Sequence, residues 1–133
     1  MREVFGDTFY YLAMINPHDV AHSQAIALSE DKDIRVITTS WVLTELADAL
    51  SRLSTRASFV RMLNSLRKDP LTEIVPASQS LFEQGARLYA SRFDKEWSLT
   101  DCISFIVMRE YGLIESLTAD RHFEQAGFRA LLI

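Results

Sequence analysis

Four acidic residues lie at chain positions where carboxylates can do chemistry: Asp7, Glu45, Asp101 and Asp120. Each lies at the end of a predicted strand or beside the start of a predicted helix. One carboxylate at such a position is typical of a cap or a turn, whereas four along one short α/β chain can converge on a divalent cation. Together they predict a metal site that cleaves phosphodiester bonds.

The predicted elements bring the four carboxylates toward one opening. In open α/β sheets ligands bind beyond the carboxyl ends of the strands, where Asp7 and Asp120 are expected. Asp101 begins a buried helix, and the helix dipole favours its negative charge. Glu45 lies one turn into the helix after the second strand, so its longer side chain can reach the same opening. Oxygen ligands with no His or Cys nearby favour Mg²⁺ or Mn²⁺ over zinc.

The same carboxylates also have purely structural interpretations. Asp7 can cap the segment that follows it, and Glu45 can be an exposed helix residue. Asp101 can pair with Ser98 in a helix cap, and Asp120 can open a turn. These interpretations explain each placement separately but not the common location.

Two threonines adjoin the candidate ligands. Thr8 follows Asp7 directly, and Thr118 lies two residues before Asp120. Their hydroxyls can orient a ligand or bind a metal-bound water, although hydroxyls at strand and helix ends are commonly caps.

Other residues give weaker signals. His18 and His22 have the i, i+4 spacing of zinc ligands, but no third ligand is apparent and a solvated helix face is favoured. His122 can contact a substrate phosphate or simply begin a short helix. Aromatic residues near helix starts, such as Trp41 and Trp97, are predicted to pack rather than to stack on bases.

Five basic residues along consecutive helices can contact RNA phosphates but are more often a solvated surface. They are Arg52, Arg56, Arg61, Arg67 and Lys68.

Length and composition predict one compact domain over residues 1–133. The chain is 48% hydrophobic with four glycines and three prolines, so no disordered linker is indicated. Cys102 is the only cysteine, which excludes an internal disulfide and fits a core position in a reducing compartment. The apolar stretch near the start is too short and polar to span a membrane. We therefore expect a soluble, cytoplasmic protein. The net charge of −4 decides little about nucleic acid binding.

Strands and helices alternate along the chain. Strands are predicted at 3–7, 34–38, 72–76, 113–118 and 128–133, with helices at 8–15, 17–29, 40–53, 56–68, 80–91, from Ser98 onward and at 122–126. Asn16, Ser40 and Ser80 are predicted caps. A stripe from Leu43 to Leu53 predicts the buried face of one helix, with Glu45 on its flank. This alternation predicts a parallel sheet covered on both faces.

Four motifs resemble those of the PIN-domain family, and within it the VapC-like ribonuclease toxins. They are FGDT at 5–8, TSWVLTEL at 39–46, WSLTDC at 97–102 and LTADRHF at 117–123, the last extended by FEQAGF at 123–128. The resemblance runs nearly end to end. It implies a three-layer α/β/α sandwich with a central, mostly parallel sheet of four to five strands. A departure is the bulky Tyr10-Tyr11 pair, which puts substrate access in question.

The resemblance also implies an activity and partners. It implies Mg²⁺- or Mn²⁺-dependent RNA cleavage, with Asp7, Glu45, Asp101 and Asp120 as metal-binding residues and Thr118 beside them. VapC-like proteins are typically homodimers, and a cognate antitoxin holds them inactive with a tail that can obstruct the acidic pocket.

Other functions compete with RNA cleavage as interpretations of this sequence. A haloacid-dehalogenase-like phosphatase needs a second aspartate where Phe9 stands, and a receiver domain needs an acidic pair and a late lysine that do not occur. A non-catalytic PIN-like module that binds RNA or protein is the better alternative. A third is an interaction protein with a solvated acidic face, whose stability would not depend on metal.

Overall fold

The computed structural model describes residues 1–133 and has a five-stranded sheet at its centre. The strand order is β3-β2-β1-β4-β5, and every neighbouring pair is parallel. The strands are β1 (Arg2–Gly6), β2 (Ile34–Thr39), β3 (Thr72–Val75), β4 (Glu115–Leu117) and β5 (Arg129–Ala130). The chain order changes direction at β1, between β2 and β4, which is the switch point where an open sheet binds ligands.

Seven helices flank this sheet, and the predicted α/β fold class is confirmed. They are α1 (Thr8–Ile15), α2 (His22–Glu30), α3 (Ser40–Ala49), α4 (Arg56–Lys68), α5 (Gln79–Ser91), α6 (Leu99–Glu110) and α7 (Arg121–Gln125). None of them is long and apolar enough to cross a membrane.

The hydrophobic core lies between the sheet and these helices. Helix α6 is buried on nearly all sides, and Cys102 is a core residue within it, as predicted. The Phe105 ring meets Phe123 edge-on with the ring centroids 5.0 Å apart. At Gly6 an added Cβ would lie 2.6 Å from the Tyr11 hydroxyl oxygen, so α1 can pack this closely on β1 only because residue 6 has no side chain.

The predicted start of the second helix was wrong. Helix α2 begins at His22 rather than at Pro17. The Asn16 Oδ1 accepts the N–H of His18, and the Asp19 Oδ1 accepts the N–H of Ala21. Asn and Asp side chains readily bond the backbone two residues ahead, and here the resulting turns replace the expected helix cap.

Other predicted boundaries were also displaced. Thr39 caps α3 in place of Ser40, and Ser78 caps α5 in place of Ser80. Helix α3 ends at Ala49, so Leu53 lies outside it and is 96% exposed instead of continuing the buried stripe. Directly after the end of this helix the Thr55 hydroxyl donates to the carbonyl of Leu50. The last strand is only two residues long rather than six.

Candidate active site

One cleft receives all four predicted carboxylates. It has a volume of about 350 Å³ and lies at the carboxyl end of the sheet, where β1 leads into Asp7 and β4 leads toward Asp120. Helices α3 and α6 contribute Glu45 and Asp101. We call this the acidic cleft; its lining residues are Asp7, Thr8, Phe9, Leu12, Glu45, Glu96, Ser98, Asp101, Asp120 and His122.

Asp7 is the most buried of these carboxylates. The residue is 6% exposed and occupies the N-cap position of α1, but its side chain makes no capping hydrogen bond there. Its Oδ2 accepts a hydrogen bond from the Thr118 hydroxyl at 2.7 Å. Burial raises the pKa of Asp7 to about 7, and the neighbouring carboxylates of Asp101 and Glu45 add to the rise. Ionised Asp7 is therefore short of compensating positive charge.

Asp101 forms the predicted capping pair with Ser98 and also lines the cleft. The Ser98 N–H donates to Asp101 Oδ2 at 3.1 Å, and the Asp101 N–H donates to the Ser98 hydroxyl at 3.0 Å. His122 Nδ1 lies 3.0 Å from the same Oδ2. Burial raises the pKa of Asp101, while the hydrogen bond from His122 opposes the rise. The cap thus fixes this carboxylate without removing it from the cleft.

Asp120 caps the short helix α7. Its Oδ1 accepts the N–H of His122 at 2.9 Å, and its own N–H donates to the Thr118 hydroxyl at 3.0 Å. Thr118 therefore connects two candidate ligands, since the same hydroxyl donates to Asp7. One ligand atom from each of Asp101, Asp120 and His122 lies within 4.8 Å of the others. This is a close enough grouping to share a cation.

Glu45 reaches the cleft from the flank of α3, as its predicted position on the helix required. It is half-buried, and its Oε1 accepts a hydrogen bond from the Thr8 hydroxyl. Both predicted supporting threonines thus donate to a carboxylate of the cleft.

Sequence reasoning considered His122 only as a phosphate contact or a helix start, and it missed Glu96. The expectation that no His lies near the carboxylates was wrong, because the cap at Asp120 turns the ring of His122 back toward Asp101. Glu96 also lines the cleft, from the loop before Ser98. The i, i+2 spacing of Asp120 and His122 was the available signal for the first residue, whereas an exposed loop glutamate carries no such signal.

The other weak candidates lie outside the cleft. His22 Nδ1 is 2.7 Å from the carbonyl oxygen of Ala13, which leaves His18 exposed and without a zinc-binding partner. Trp97 packs edge-on against Phe105, as predicted for a packing residue. The bulky pair Tyr10 and Tyr11 is buried and lines a different pocket, between α1, α2 and α4, so it does not narrow the acidic cleft.

The donor set suits a hard divalent cation. None of the four carboxylates forms an ion pair with Lys or Arg, and His122 is their only basic contact. Carboxylate oxygens are the ligands that Mg²⁺ and Mn²⁺ prefer. Four of them at one opening, two with pKa values raised by burial, provide the negative charge that such an ion neutralises.

The protein is a parallel α/β domain with a carboxylate cleft at the switch point of its sheet. Residues 4–129 match the PIN domain model, and the chain belongs to the PIN domain family. It is 29% identical over 125 residues to the 23S rRNA-specific endonuclease VapC20 of Mycobacterium tuberculosis, covering 94% of this chain and 95% of VapC20.

Solved structures of other proteins have the same fold. The crystal structure of M. tuberculosis VapC20, a sarcin-ricin loop cleaving toxin, superposes with a TM-score of 0.87 at 28% identity, covering 98% of this chain and 99% of that one. VapBC2 from Rickettsia felis, bound to a promoter DNA fragment, gives a TM-score of 0.69 at 15% identity, with 96% of each chain covered. FitAcB from Neisseria gonorrhoeae gives 0.64 at 19% identity, over 96% of this chain and 94% of that one. The last two establish the fold alone.

The predicted resemblance to PIN domains and VapC-like proteins is therefore confirmed. VapC20 is an endonuclease, the family is the PIN domain, and the acidic cleft has a group of ligands able to bind a metal ion.

Proposed function

We propose that the protein is a VapC-like endoribonuclease that hydrolyses RNA phosphodiester bonds, and that residues 1–133 act as one PIN domain. The observation that carries the proposal is the convergence of four carboxylates, from four separate parts of the chain, on one cleft. Full-length similarity to an rRNA endonuclease supports the same reaction and RNA as the substrate class.

The proposed cofactor is Mg²⁺ or Mn²⁺, held by Asp7, Glu45, Asp101 and Asp120. When bound in such a site, a divalent ion offsets the charge of the scissile phosphate and lowers the pKa of a water molecule, which favours in-line hydrolysis without a protein nucleophile. The chain supplies no Ser, Cys or Lys nucleophile in the cleft apart from the Ser98 hydroxyl, which is already engaged in the cap of α6.

The surrounding residues hold the carboxylates in position. The Thr118 hydroxyl fixes Asp7, and the Thr8 hydroxyl fixes Glu45. The contacts of Asp101 with the Ser98 N–H and with His122 both fall on Oδ2, so its Oδ1 remains available as a ligand. Such oriented ligands need little rearrangement when a cation binds.

Partners follow from the same resemblance. We propose a cognate antitoxin that covers the acidic cleft, and a homodimer as the working assembly. The similarity to VapC20, a toxin, supports an antitoxin, and the dimer rests on the family resemblance alone. The proposed RNA substrate indicates action in the cytoplasm.

A non-catalytic PIN-like module that binds RNA or protein is the alternative. Retention of all four carboxylates disfavours it, because a module without metal chemistry has no use for buried, mutually repelling acids such as Asp7 and Asp101.

Cleavage of 23S rRNA and total cellular RNA by purified, partner-free protein tests the proposal. We expect discrete fragments with Mg²⁺ or Mn²⁺ and intact RNA with EDTA. The matched control is Asp120→Asn, since asparagine can still cap α7 through its side-chain oxygen. Fragments that persist in EDTA or in the variant would indicate contamination or a different site, and intact RNA in every condition would favour the binding module.

A further inference from the structure

A second pocket adjoins the acidic cleft and shares part of its wall. It has a volume of about 660 Å³ and lies at the loop between α5 and α6. Glu96 and Ser98 line both this pocket and the acidic cleft, so a strand of nucleic acid that enters one can continue into the other. We call it the aromatic pocket, after Tyr89, Phe93 and Trp97.

The two most exposed aromatic side chains of the molecule line this pocket. Phe93 is 91% exposed and Tyr89 is 51% exposed, while the next most exposed aromatics are 39% exposed. An exposed phenylalanine gains nothing for folding, because its ring buries almost no surface. Exposed rings of this kind are the stacking platforms of proteins that bind single-stranded nucleic acid.

Trp97 forms the buried floor of the pocket. Trp97 is 5% exposed, its indole N–H donates to Gln125 Oε1 at 3.0 Å, and its ring packs edge-on against Phe105. The Arg92 guanidinium lies 4.9 Å from the centre of the Trp97 ring and is held by Asp94. The floor is therefore held by contacts within the chain, whereas the Phe93 and Tyr89 rings are exposed.

The pocket wall also contains a lysine that forms no close ion pair. Lys95 is half-buried in the pocket wall, and its ammonium forms no ion pair or hydrogen bond within the chain. A lysine and two exposed rings that line one pocket suit an unpaired nucleotide, whose base can stack on a ring while its phosphate meets the positive charge. The acidic cleft itself contains no Lys or Arg to bind a flanking phosphate.

We propose that the aromatic pocket binds an unpaired nucleotide that flanks the scissile phosphate, with its base stacked on Phe93 and Tyr89 and its phosphate near Lys95. This inference rests on the proposed ribonuclease function. It assigns substrate recognition to a loop of the chain, whereas the acidic cleft provides the chemistry.

Steady-state cleavage by Phe93→Ala and Lys95→Gln tests the pocket. Phe93→Ala should raise KM about 10-fold with kcat little changed, because a stacking contact is lost far from the reacting atoms. Lys95→Gln should flatten the dependence of log KM on log salt concentration by about 0.7, the value for one phosphate contact on a single strand. Leu53→Ala is the matched control, since Leu53 is as exposed as Phe93 and lines neither pocket.

A binding measurement separates failure of the pocket from failure of the proposed enzyme. Fluorescence anisotropy of a labelled single-stranded RNA in EDTA should show weaker binding to Phe93→Ala than to wild-type protein and Leu53→Ala. Loss of affinity without any cleavage by wild-type protein would support the pocket and overturn the ribonuclease. Cleavage with unchanged KM and affinity in Phe93→Ala would overturn the pocket and leave the ribonuclease standing.

A protein interface is the competing use of the same surface. If Phe93→Ala changes the molar mass measured by light scattering but leaves RNA affinity and KM unaltered, the exposed rings serve contacts between protein chains and the nucleotide proposal is overturned.

Discussion

Acidic side chains have opposite surroundings at the two ends of the sheet. At the amino end each strand glutamate pairs with arginine. Arg35 lies 2.9 Å from Glu3 and 2.8 Å from Glu73, and Arg2 makes two hydrogen bonds to Glu115. The pKa of Glu115 is lowered, mainly by its hydrogen bond with Arg2.

At the carboxyl end the carboxylates of the acidic cleft have no such partners. Burial raises the pKa values of Asp7 and Asp101, and neither pairs with Lys or Arg. Acidic residues are therefore paired with arginine at the amino end of the sheet. At the carboxyl end, where the strands lead into the acidic cleft, they are clustered without such partners. Clustered acids cost stability, which is expected at sites that bind cations and not at sites that only support the fold.

The largest expected effect is the loss of activity when a carboxylate of the acidic cleft is removed. Asp7→Asn should reduce metal-dependent RNA cleavage by more than about 100-fold, the upper range for losing a residue that only orients a metal ligand. Asparagine keeps the size and an acceptor for Thr118 but removes the charge. The rate of fragment formation in saturating Mn²⁺ measures the effect, and a rate within a few-fold of wild type would remove Asp7 from the site.

A smaller loss is expected from the threonine that connects two ligands. Thr118→Val removes the hydroxyl that donates to Asp7 and accepts from the Asp120 N–H, and should reduce cleavage about 10-fold. Thr118→Ser retains the hydroxyl and should restore most of the activity. Equal activity in the valine and serine variants would show that the hydroxyl has no role in orienting Asp7.

Stability should change with pH in the direction set by Asp7. Its pKa in the folded protein, about 7, is above the ordinary value for Asp, so the folded state binds more protons between those two values. The free energy of unfolding of metal-free protein should therefore fall as pH rises from about 4 to 7. Asp7→Asn should be more stable than wild type at pH 8 in EDTA, by up to about 4 kcal/mol, because the variant removes the buried negative charge.

Urea unfolding at a series of pH values measures this difference. Wild-type protein and the variant should converge below about pH 3, where Asp7 is protonated in both the folded and the unfolded states. A variant that is less stable than wild type at pH 8 would contradict the assignment of Asp7 as a buried, repelled carboxylate.

A substitution at the amino end of the sheet should have the smallest effect on stability, and its pH dependence should be opposite to that of Asp7. Arg2→Met removes a partly exposed ion pair and should cost about 0.5 kcal/mol at neutral pH. Because the pKa of Glu115 is lowered in the folded state, this contribution is present above its unfolded pKa and is lost as pH falls through the folded one. Urea unfolding at pH 7 and pH 3 measures it, and RNA cleavage should be unchanged.

Sequence reasoning reached the acidic cleft because strand exits and helix starts are local features. Asp7 and Asp120 follow strands, and Glu45 and Asp101 lie in the opening turns of helices, so the parallel topology alone brings them together. The same reasoning could not place His122 against Asp101, because the two residues are 21 positions apart in sequence and their contact depends on the orientation of the His122 ring.

Helix caps were the least predictable features of the fold. Thr39 and Ser40 are adjacent hydroxyls with the same capping chemistry, and in the structure the Thr39 hydroxyl accepts the capping hydrogen bond from the Val42 N–H. By its spacing Leu53 belongs to the predicted apolar stripe, but the spacing of apolar residues does not indicate where a helix ends. Tertiary packing and turn formation determine these caps and helix ends.

Metal-dependent cleavage of 23S rRNA by wild-type protein, Asp101→Asn and Glu110→Gln tests the central claim most directly. Asp101 and Glu110 lie on the same helix, but Glu110 is exposed at its far end and outside the acidic cleft. We predict cleavage by wild-type protein and Glu110→Gln in Mg²⁺ or Mn²⁺, and none by Asp101→Asn or by any protein in EDTA. Equal cleavage by Asp101→Asn and Glu110→Gln would show that the acidic cleft is not where RNA is hydrolysed.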